Sequence, residues 1–322
     1  MAHELNIPAN LVPKIWAKKV WNEGNKDSYF DKFTSTDGKN VIHTNKDLTR
    51  AKGDSVTFGI AMNLKGEGVK DNTTLKGAED ELTLHDYTIN THFVRNAVVR
   101  RVHEDQKSPY DNLKMIKTAL VQWLADWKDN KLISALSALP TSGEFITASS
   151  AGTESSITAN DKLTCALISK ARRKALMHAP KVVPIKVDGQ DKYIMLVHPL
   201  AARDLKSDPT WLAAQQHANI RGSKNPIFSG ALGEYDGVVL YEYERVLCDK
   251  KGSASANVCH NLLLGRQAAC FAVSKEAYHI KDVDDYGNKE GNGIAFYGEI
   301  AKTKYNAHDY GIMQVMTGGA DD

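Results

Sequence analysis

Three glycines, Gly230, Gly233 and Gly237, could form an anion-binding turn in the segment NPIFSGALGEYDGVVLYEYERV. A phosphate-binding loop needs a glycine turn between a strand and a helix, so that backbone N–H groups and the helix dipole converge on the anion. Here the glycines precede VVLYEYERV, whose alternation predicts a strand, and no Lys-Ser or Lys-Thr pair follows. We therefore expect a turn that enters a strand, and an anion site at Gly230–Gly237 is the weaker alternative.

The cysteines and histidines are the residues best suited to bind a metal ion. Cys248, Cys259 and Cys270 follow one another at intervals of eleven residues, and Cys259 directly precedes His260. Zinc sites usually bring two ligands together through C-x-x-C or H-x-x-x-H spacing, which this sequence lacks. We predict no metal and no cofactor, and we expect the cysteines to be reduced, buried and small apolar side chains.

No residue is placed by a motif to act as a catalytic nucleophile or base. Ser229 lies in FSGAL, which is not the G-x-S-x-G elbow of hydrolases. His198 ends an apolar run and is better explained as a strand-end histidine with its hydrogen bonds satisfied. Catalytic residues are therefore not predicted, and an enzyme with an α/β fold stays open only through the glycine turn.

Composition excludes two further classes of function. The 322 residues include 41 Lys and Arg against 39 Asp and Glu, which gives a net charge of +2. Proteins that bind DNA through its phosphates usually carry a clustered excess of positive charge, which this composition does not indicate. No apolar run is long enough to span a membrane, and the N-terminus lacks the pattern of a secretory signal, so we expect synthesis in the cytoplasm. The one basic run, SKARRKALMHAPK, contains Arg172, Arg173 and Lys174. A solvated helix face or contact with a second subunit is the first interpretation of these three residues, and contact with DNA is the second.

Residues 1–100 predict an arm followed by a hairpin. A short helix is expected at Lys14–Asn22 in an arm whose apolar residues need a partner surface. Alternation then predicts two strands, in GDSVTFGIAMNL and ELTLHDYTINTHFVRNAVVR. The polar segment KGEGVKDNTTLKGAED between them predicts a long exposed hairpin tip.

The rest of the chain predicts mixed helices and strands. Ser108 and Pro109 suit the start of a helix of about thirty residues that ends near Leu139. A capping box predicts another helix between Thr158 and His178. Further predictions are a hairpin at Asp188-Gly189, helices from Pro199 that break near Pro209, and strands at 238–246, 262–273 and 294–304, the second of them interrupted at Gly265-Arg266. No βαβ unit repeats, which indicates an α+β protein.

This arrangement resembles the major capsid protein of tailed bacteriophages, whose fold is called the Johnson fold. The likeness is carried by KGDSVTFGIAMNLKGEGV, YTINTHFVRNAVVR, YIMLVHPLAARDLKSDPTWL, NPIFSGALGEYDGVVLYEYERV and NLLLGRQAACFAVSK, which together span about residues 52–275. At residue level it is strongest to the branch typified by the N-four-like podophages. None of these segments is a catalytic motif, so their order and combination carry the resemblance.

The resemblance implies a division of the chain into five parts. They are an N-terminal arm (1–50), an extended loop hairpin (51–102), a peripheral domain with a spine helix (103–140), an axial domain (141–246) and a return to the peripheral domain (247–322). The implied function is non-enzymatic: self-assembly as hexamers and pentamers into an icosahedral head that encloses double-stranded DNA. An encapsulin-like compartment shell shares this fold and is the nearer alternative.

The resemblance also implies partners. The hairpin tip would lie over a neighbouring subunit and contact it through Lys65, Glu67, Lys70, Lys76 and Glu79. The N-terminal sequence has no long helical segment to act as a built-in scaffold, which suggests a separate scaffolding protein. A portal, a possible decoration protein and weakly held DNA complete the expected partners, with no membrane. No lysine and asparagine pair indicates a covalent crosslink between subunits.

Overall fold

A computed structural model describes residues 11–46, 55–61, 68–72, 74–77, 79–80, 84–140, 143–187, 189–217, 232–306 and 308–319. Over these residues the chain forms a five-stranded sheet, an eight-stranded sheet and two short two-stranded pairs, together with α-helices. The α+β class is confirmed. Within these ranges no helix is both long and apolar enough to cross a membrane.

The long helix α3, Asn112–Ser137, is the central element of the first half of the chain. Its 26 residues span about 39 Å. Leu120, Leu124, Leu132 and Leu136 lie on its buried face at intervals of four and eight residues. The prediction that Ser108 caps this helix is wrong, because the Asp111 side chain instead accepts a hydrogen bond from the Lys114 N–H at 3.2 Å. A short helix α2, Val102–Asp105, precedes it.

The N-terminal helix α1, Leu11–Asp27, packs along α3. A Cβ on Gly24 would lie 2.9 Å from Leu124 Cδ2 and 3.1 Å from the Val121 carbonyl oxygen, so glycine permits the close approach of the two helices. Val20 and Trp21 are buried in the same contact. The apolar residues expected to need a partner surface therefore find one within their own chain, and the helix is longer than the predicted Lys14–Asn22.

The five-stranded sheet has the order β1–β2–β13–β14–β5. Its strands are β1 Thr34–Ser35, β2 Ile42–Asn45, β5 His92–Arg101, β13 Ala269–Asp284 and β14 Lys289–Lys302. The β13–β14 hairpin has 16 and 14 residues in its two strands and ends in a 3₁₀ turn at Asp285–Gly287. Phe271 and Phe296 on its inner half pack beside Trp21 of α1.

A second hairpin, β3 Ser55–Ala61 with β4 Leu84–Asn90, covers the opposite face of β13. Val56, Phe58 and Ile89 pack there against Cys270 and Ala272. The hairpin was predicted, but its second run is not one strand. It divides at Thr91, after which β5 pairs with β14, because the two halves find partners in different sheets.

The eight-stranded sheet has the order β6–β17–β12–β8–β10–β9, with β7 and β11 as side branches on β8 and β12. The bounds are β6 Phe145–Thr147, β7 Ile185–Val187, β8 Gln190–Val197, β9 Gly233–Tyr235, β10 Val238–Glu242, β11 Cys248–Asp249, β12 Asn257–Leu264 and β17 Ile312–Gly319. All eight residues of β12 are buried, as are those of β17. These two strands therefore form the core of this sheet. A separate small pair joins β15 Lys304–Tyr305 to β16 His308–Asp309.

Three helices accompany this sheet: α4 Cys165–Met177, α5 Pro199–Lys206 and α6 Pro209–His217. The starts at Pro199 and Pro209 are confirmed, and so is the hairpin that turns at Gly189. The helix start at Thr158 is wrong. Thr158 does donate to Asp161 at 2.8 Å, but this closes a turn, and Thr164 caps α4 instead.

The run 262–273 breaks at the predicted interruption, Gly265-Arg266, and its two halves are strands that belong to different sheets. β12 ends at Leu264, and a Cβ on Gly265 would lie 2.5 Å from the Val183 carbonyl oxygen, a contact only glycine allows. β13 begins at Ala269 in the other sheet. The segment 247–322, expected to return to the peripheral domain, therefore contributes β12 and β17 to the eight-stranded sheet and only β13 and β14 to the five-stranded one.

Ion pairs join the strands of the five-stranded sheet at its exposed end, around the tip of the β13–β14 hairpin. We call this end of the sheet the distal end. Arg100 of β5 donates to Asp105 and to Glu290 of β14, with its Nε 3.0 Å from Glu290 Oε2. Lys281 of β13 contacts the other Glu290 oxygen. Hydrogen bonds from Lys281 and Arg100 lower the pKa of the Glu290 carboxyl. Three strands are thus joined through one carboxylate.

We expect Leu124→Ala to lower the free energy of unfolding by about 2–5 kcal/mol, since it leaves a cavity between α1 and α3. Leu113→Ala is the matched control on the same helix, because Leu113 is 43% exposed; it should change the value by no more than about 0.5 kcal/mol. Urea unfolding of the unassembled chain measures both. Equal effects of the two variants would contradict the packing described here.

We expect Glu290→Gln to destabilise the unassembled chain by about 1–2 kcal/mol at neutral pH, because Arg100 and Lys281 lose a charged acceptor. Since folding lowers the pKa of Glu290, the carboxylate stabilises the fold fully above its ordinary pKa and loses this effect as the pH falls through the lowered value. The difference between wild type and variant should therefore shrink on acidification. Urea midpoints at pH 7 and pH 3 test this, and a difference independent of pH would refute it.

Candidate subunit-contact surfaces

The glycine turn that could have held an anion is a tight connection between two strands. Asp236 and Gly237 both have left-handed backbone angles, with φ of 48° and 68°, and join β9 to β10. The Asp236 carboxylate accepts hydrogen bonds from Ser169 at 2.6 Å and from Arg172 at 2.5 Å. The strand entry is confirmed for Gly233 and Gly237, while Gly230 lies outside the described residues. The cation nearest this turn is paired with the protein's own carboxylate.

The basic run on α4 is divided among different roles. Arg172 is half-buried in its ion pair with Asp236. Lys174 donates to the Phe145 carbonyl oxygen at 2.8 Å, and burial lowers its pKa. Of the three candidate contact residues on this helix, Arg173 is the one that is exposed. Two of the three cations therefore stabilise the subunit itself.

Three of the four cysteines are buried thiols as expected, and Cys248 is partly exposed. Cys165, Cys259 and Cys270 are buried, and desolvation raises the pKa of Cys165 and of Cys270 to about 11. These two thiols are therefore protonated at neutral pH and are poor nucleophiles. Cys248 lies opposite Cys259 on β11 and β12, with the two Sγ atoms 3.0 Å apart.

His198 also has the structural role predicted for it. Its Nδ1 accepts a hydrogen bond from the Leu200 N–H at 3.2 Å, which caps α5. Burial lowers its pKa, so the ring is neutral and its Nδ1 lone pair is engaged. A histidine in this state at the end of a buried strand orients the following helix.

The β3–β4 hairpin has an anchored base and an exposed tip. At the base, Thr57 and Thr88 hydrogen-bond across the strands at 3.0 Å, and Phe58 contacts the His43 ring edge-on. Every residue described between 68 and 80 is exposed. These include Lys70, Lys76 and Glu79 of the predicted contact set, whereas Lys65 and Glu67 lie outside the described residues. The tip therefore extends beyond the core that holds its base.

A second exposed surface lies at the distal end of the five-stranded sheet. Apolar side chains are exposed on β5, on α2 and the segment that follows it, and at the tip of the β13–β14 hairpin. We call this set the distal patch: Val98, Val99, Val102, Tyr110, Val283 and Tyr286. Tyr286 is fully exposed at the tip, in a left-handed conformation with φ of 50°. Exposed apolar side chains grouped at one end of a sheet are candidates for contact with another molecule.

The distal patch was missed in the sequence because β13 was expected to end at Val273. The strand continues to Asp284. The signal that could have revealed it is Asp285-Tyr286-Gly287, a turn sequence between two alternating runs.

Strand β5 borders the distal patch and is an edge of its sheet. It pairs with β14 on one side, and among the described residues no strand pairs with its other side. Both of its faces are largely exposed along its length. Such an edge offers backbone N–H and C=O groups to a further strand, and its charged residues, Arg95 and Arg101 among them, restrain indiscriminate pairing.

Comparisons with known proteins agree with this architecture. A family model described as phage capsid protein matches residues 10–140 and 134–319. The major capsid protein of Pseudomonas phage KPP25 is 27% identical over 356 residues, covering 94% of this chain and 93% of that protein. The capsid of Ralstonia phage GP4 superimposes with a TM-score of 0.80 at 25% identity, covering 92% of each chain.

An encapsulin from Synechococcus elongatus has the same fold at greater distance. Its TM-score is 0.54 at 11% identity, covering 85% of this chain and 84% of the encapsulin chain. That likeness concerns the fold alone, whereas the family model spans nearly all of the sequence. The chain belongs to the phage capsid protein family.

Proposed function

We propose that this chain is the major capsid protein that builds the icosahedral head of a tailed bacteriophage, as hexamers and pentamers around double-stranded DNA. The observation that carries the proposal is a subunit with a self-contained core and two surfaces that the core cannot bury, the β3–β4 tip and the distal patch. A shell subunit gains its partners through such surfaces, because each copy covers what its neighbour exposes.

The two sheets correspond in this proposal to the two domains of the capsid fold. The five-stranded sheet with α1 and α3 forms the peripheral domain, and the eight-stranded sheet with α4, α5 and α6 forms the axial domain around the five-fold and quasi-six-fold axes. Because β12 and β17 belong to the axial sheet, the boundary at 246 that the sequence suggested is replaced by two crossings, near Gly265 and Gly311.

The function proposed is structural and involves no catalysis. The Cys165 and Cys270 thiols are protonated, and Arg172, the cation that the described residues place at the glycine turn, is paired with Asp236. A net charge of +2 suits a subunit that is repeated many times in a shell around DNA, because a strongly cationic inner surface would bind the packaged DNA tightly. Arg173 is the candidate for weak contact with it. A scaffolding protein, a portal and a decoration protein are further proposed partners.

We expect the full-length chain, co-expressed with a scaffolding protein from the same phage, to form closed particles. Electron microscopy should show capsomers with five-fold and six-fold symmetry. Dimers or tetramers as the largest species under all assembly conditions would refute the proposal.

We expect replacement of residues 65–80 by a short glycine-serine turn to abolish particles while the subunit still folds, because the hairpin base packs on β13 independently of the tip. Circular dichroism and thermal unfolding of the unassembled variant are the controls for folding. Normal particles from this variant would show that the tip makes no essential contact.

We expect Tyr286→Asp to reduce the yield of particles at least tenfold, because it places a charge where the proposal buries an apolar ring. Tyr286→Phe keeps the ring and should retain assembly. Tyr286 is fully exposed, so neither variant should change the unfolding midpoint of the unassembled chain. Equal yields from the two variants would remove the distal patch from the contact surfaces.

A further inference from the structure

The geometry points to a binding site for a divalent transition-metal ion in the eight-stranded sheet, formed by Glu154, Asp249 and His260. One ligand atom of each residue, a carboxylate oxygen or a ring nitrogen, lies within 4.8 Å of the other two. The residues come from three elements: the 3₁₀ helix Glu154–Ser156, β11 and β12. The site does not depend on the proposed function.

The first argument is the state of the polar atoms. The His260 side chain is fully buried, yet neither of its ring nitrogens has a hydrogen-bond partner. Glu154 Oε1 and Asp249 Oδ1 are buried atoms that likewise have none. The His260 Nε2 atom lies 3.2 Å from Glu154 Oε1, but the direction of approach does not form a hydrogen bond. Buried polar atoms without partners are costly, and here three of them converge on one point.

The second argument is the spacing of these atoms. A metal held at about 2.0–2.2 Å by each ligand separates the ligand atoms by roughly 3–3.6 Å. His260 Nε2 lies 3.2 Å from Glu154 Oε1 and 3.6 Å from Asp249 Oδ1. Both distances lie at the separation that two ligands of one bound ion have, and the two carboxylate oxygens lie within 4.8 Å of each other. Two carboxylates and one imidazole suit Mn²⁺ or Zn²⁺ better than Mg²⁺ or Ca²⁺, which prefer oxygen ligands alone.

The surroundings hold two of the ligands in place and leave a path for the ion. His260 shares its face of β12 with Val258, which packs with Ile157 and Met316 in an apolar cluster. Asp249 lies opposite Val258 on the neighbouring strand, diagonally across from His260. The Glu154 and Asp249 side chains are about one fifth exposed, so solvent reaches the site.

Lys251 is the cation that competes with the metal. Its Nζ lies 2.5 Å from Asp249 Oδ2 and 3.5 Å from Glu154 Oε1. It engages the Asp249 oxygen that the metal does not need, and it reduces the negative charge of the site. Removal of this positive charge should therefore strengthen metal binding, whereas a simple ion-pair cluster would lose one of its members.

The nearby cysteines provide the matched control. Cys248 precedes Asp249 on β11, and Cys259 precedes His260 on β12, so the thiols face the opposite side of the sheet. With His198 they form a second group of possible ligands. His198 Nδ1 already accepts the Leu200 N–H, so this group is the weaker candidate. Mn²⁺ favours oxygen and nitrogen over thiolate and distinguishes the two faces.

The test is a titration of the full-length, EDTA-treated and dialysed chain with Mn²⁺, followed by electron paramagnetic resonance of the free ion. We expect one Mn²⁺ per chain, at least tenfold weaker binding for Asp249→Asn and for Glu154→Gln, unchanged binding for Cys248→Ser and tighter binding for Lys251→Gln. Mn²⁺ should raise the unfolding temperature of the wild type and not that of Asp249→Asn.

Four outcomes would overturn the assignment. They are the absence of stoichiometric binding by the wild type, binding that survives both carboxylate substitutions, binding lost in Cys248→Ser, and weaker binding by Lys251→Gln. Because Asp249→Asn and Glu154→Gln preserve side-chain shape at partly exposed positions, they keep the test valid should substitution of the buried His260 prevent folding.

Discussion

The fold depends on how the last carbonyl groups of α3 are satisfied. A helix ends with carbonyl oxygens that have no partner within it. Here Lys302 of β14 donates to the Ala138 carbonyl oxygen at 3.0 Å, and Gln314 of β17 donates to those of Leu136 and Ala138 at 3.1 and 2.9 Å. The two donors come from different sheets, so one helix end fixes both sheets relative to the long helix.

The charge on Lys302 is balanced inside the same contact. Its ammonium group lies 2.5 Å from Asp309 Oδ2, and both side chains are buried. A buried ammonium group is tolerable only when it is paired and hydrogen-bonded. Lys302 meets this condition through one carboxylate and the helix carbonyl groups. The Lys302 ammonium group at the junction of the two sheets is therefore paired and hydrogen-bonded, and polar contacts of this kind specify one arrangement where apolar packing alone would permit several.

Local chemistry made part of this architecture predictable from the sequence. The β3–β4 hairpin, the turn at Gly189 and the helix starts at Pro199 and Pro209 each depend on residues close together in the chain. The errors have a common cause. Thr91 divides a run that looks continuous, and the strands on either side of Gly265 belong to different sheets. Pairing partners distant in sequence leave no local trace of either arrangement.

Features that depend on nearby residues could be predicted, and sites built from residues distant in sequence could not. The exposed hairpin tip was visible as a polar segment with nothing to bury. The three ligands of the inferred metal site lie at residues 154, 249 and 260, and only the sheet brings them together. A cap depends equally on neighbours: Asp111 displaced Ser108 as the start of α3 because Ser108 hydrogen-bonds with Asn112 and Tyr110 instead.

Strand β13 runs from the buried core of the subunit to the exposed distal patch. Its first five residues are buried, and its last four are exposed. The pairing with β14 shifts register between Val273 and Lys275 and again before Tyr278, so two irregularities separate the inner half from the outer. Such irregularities bend and twist a β-ladder locally.

The inner half of the β13–β14 hairpin is covered on both faces, by α1 and by the β3–β4 hairpin, while its outer half carries part of the distal patch. The strand therefore places the distal patch beyond two irregularities, on the part of the hairpin that neither α1 nor the β3–β4 hairpin covers.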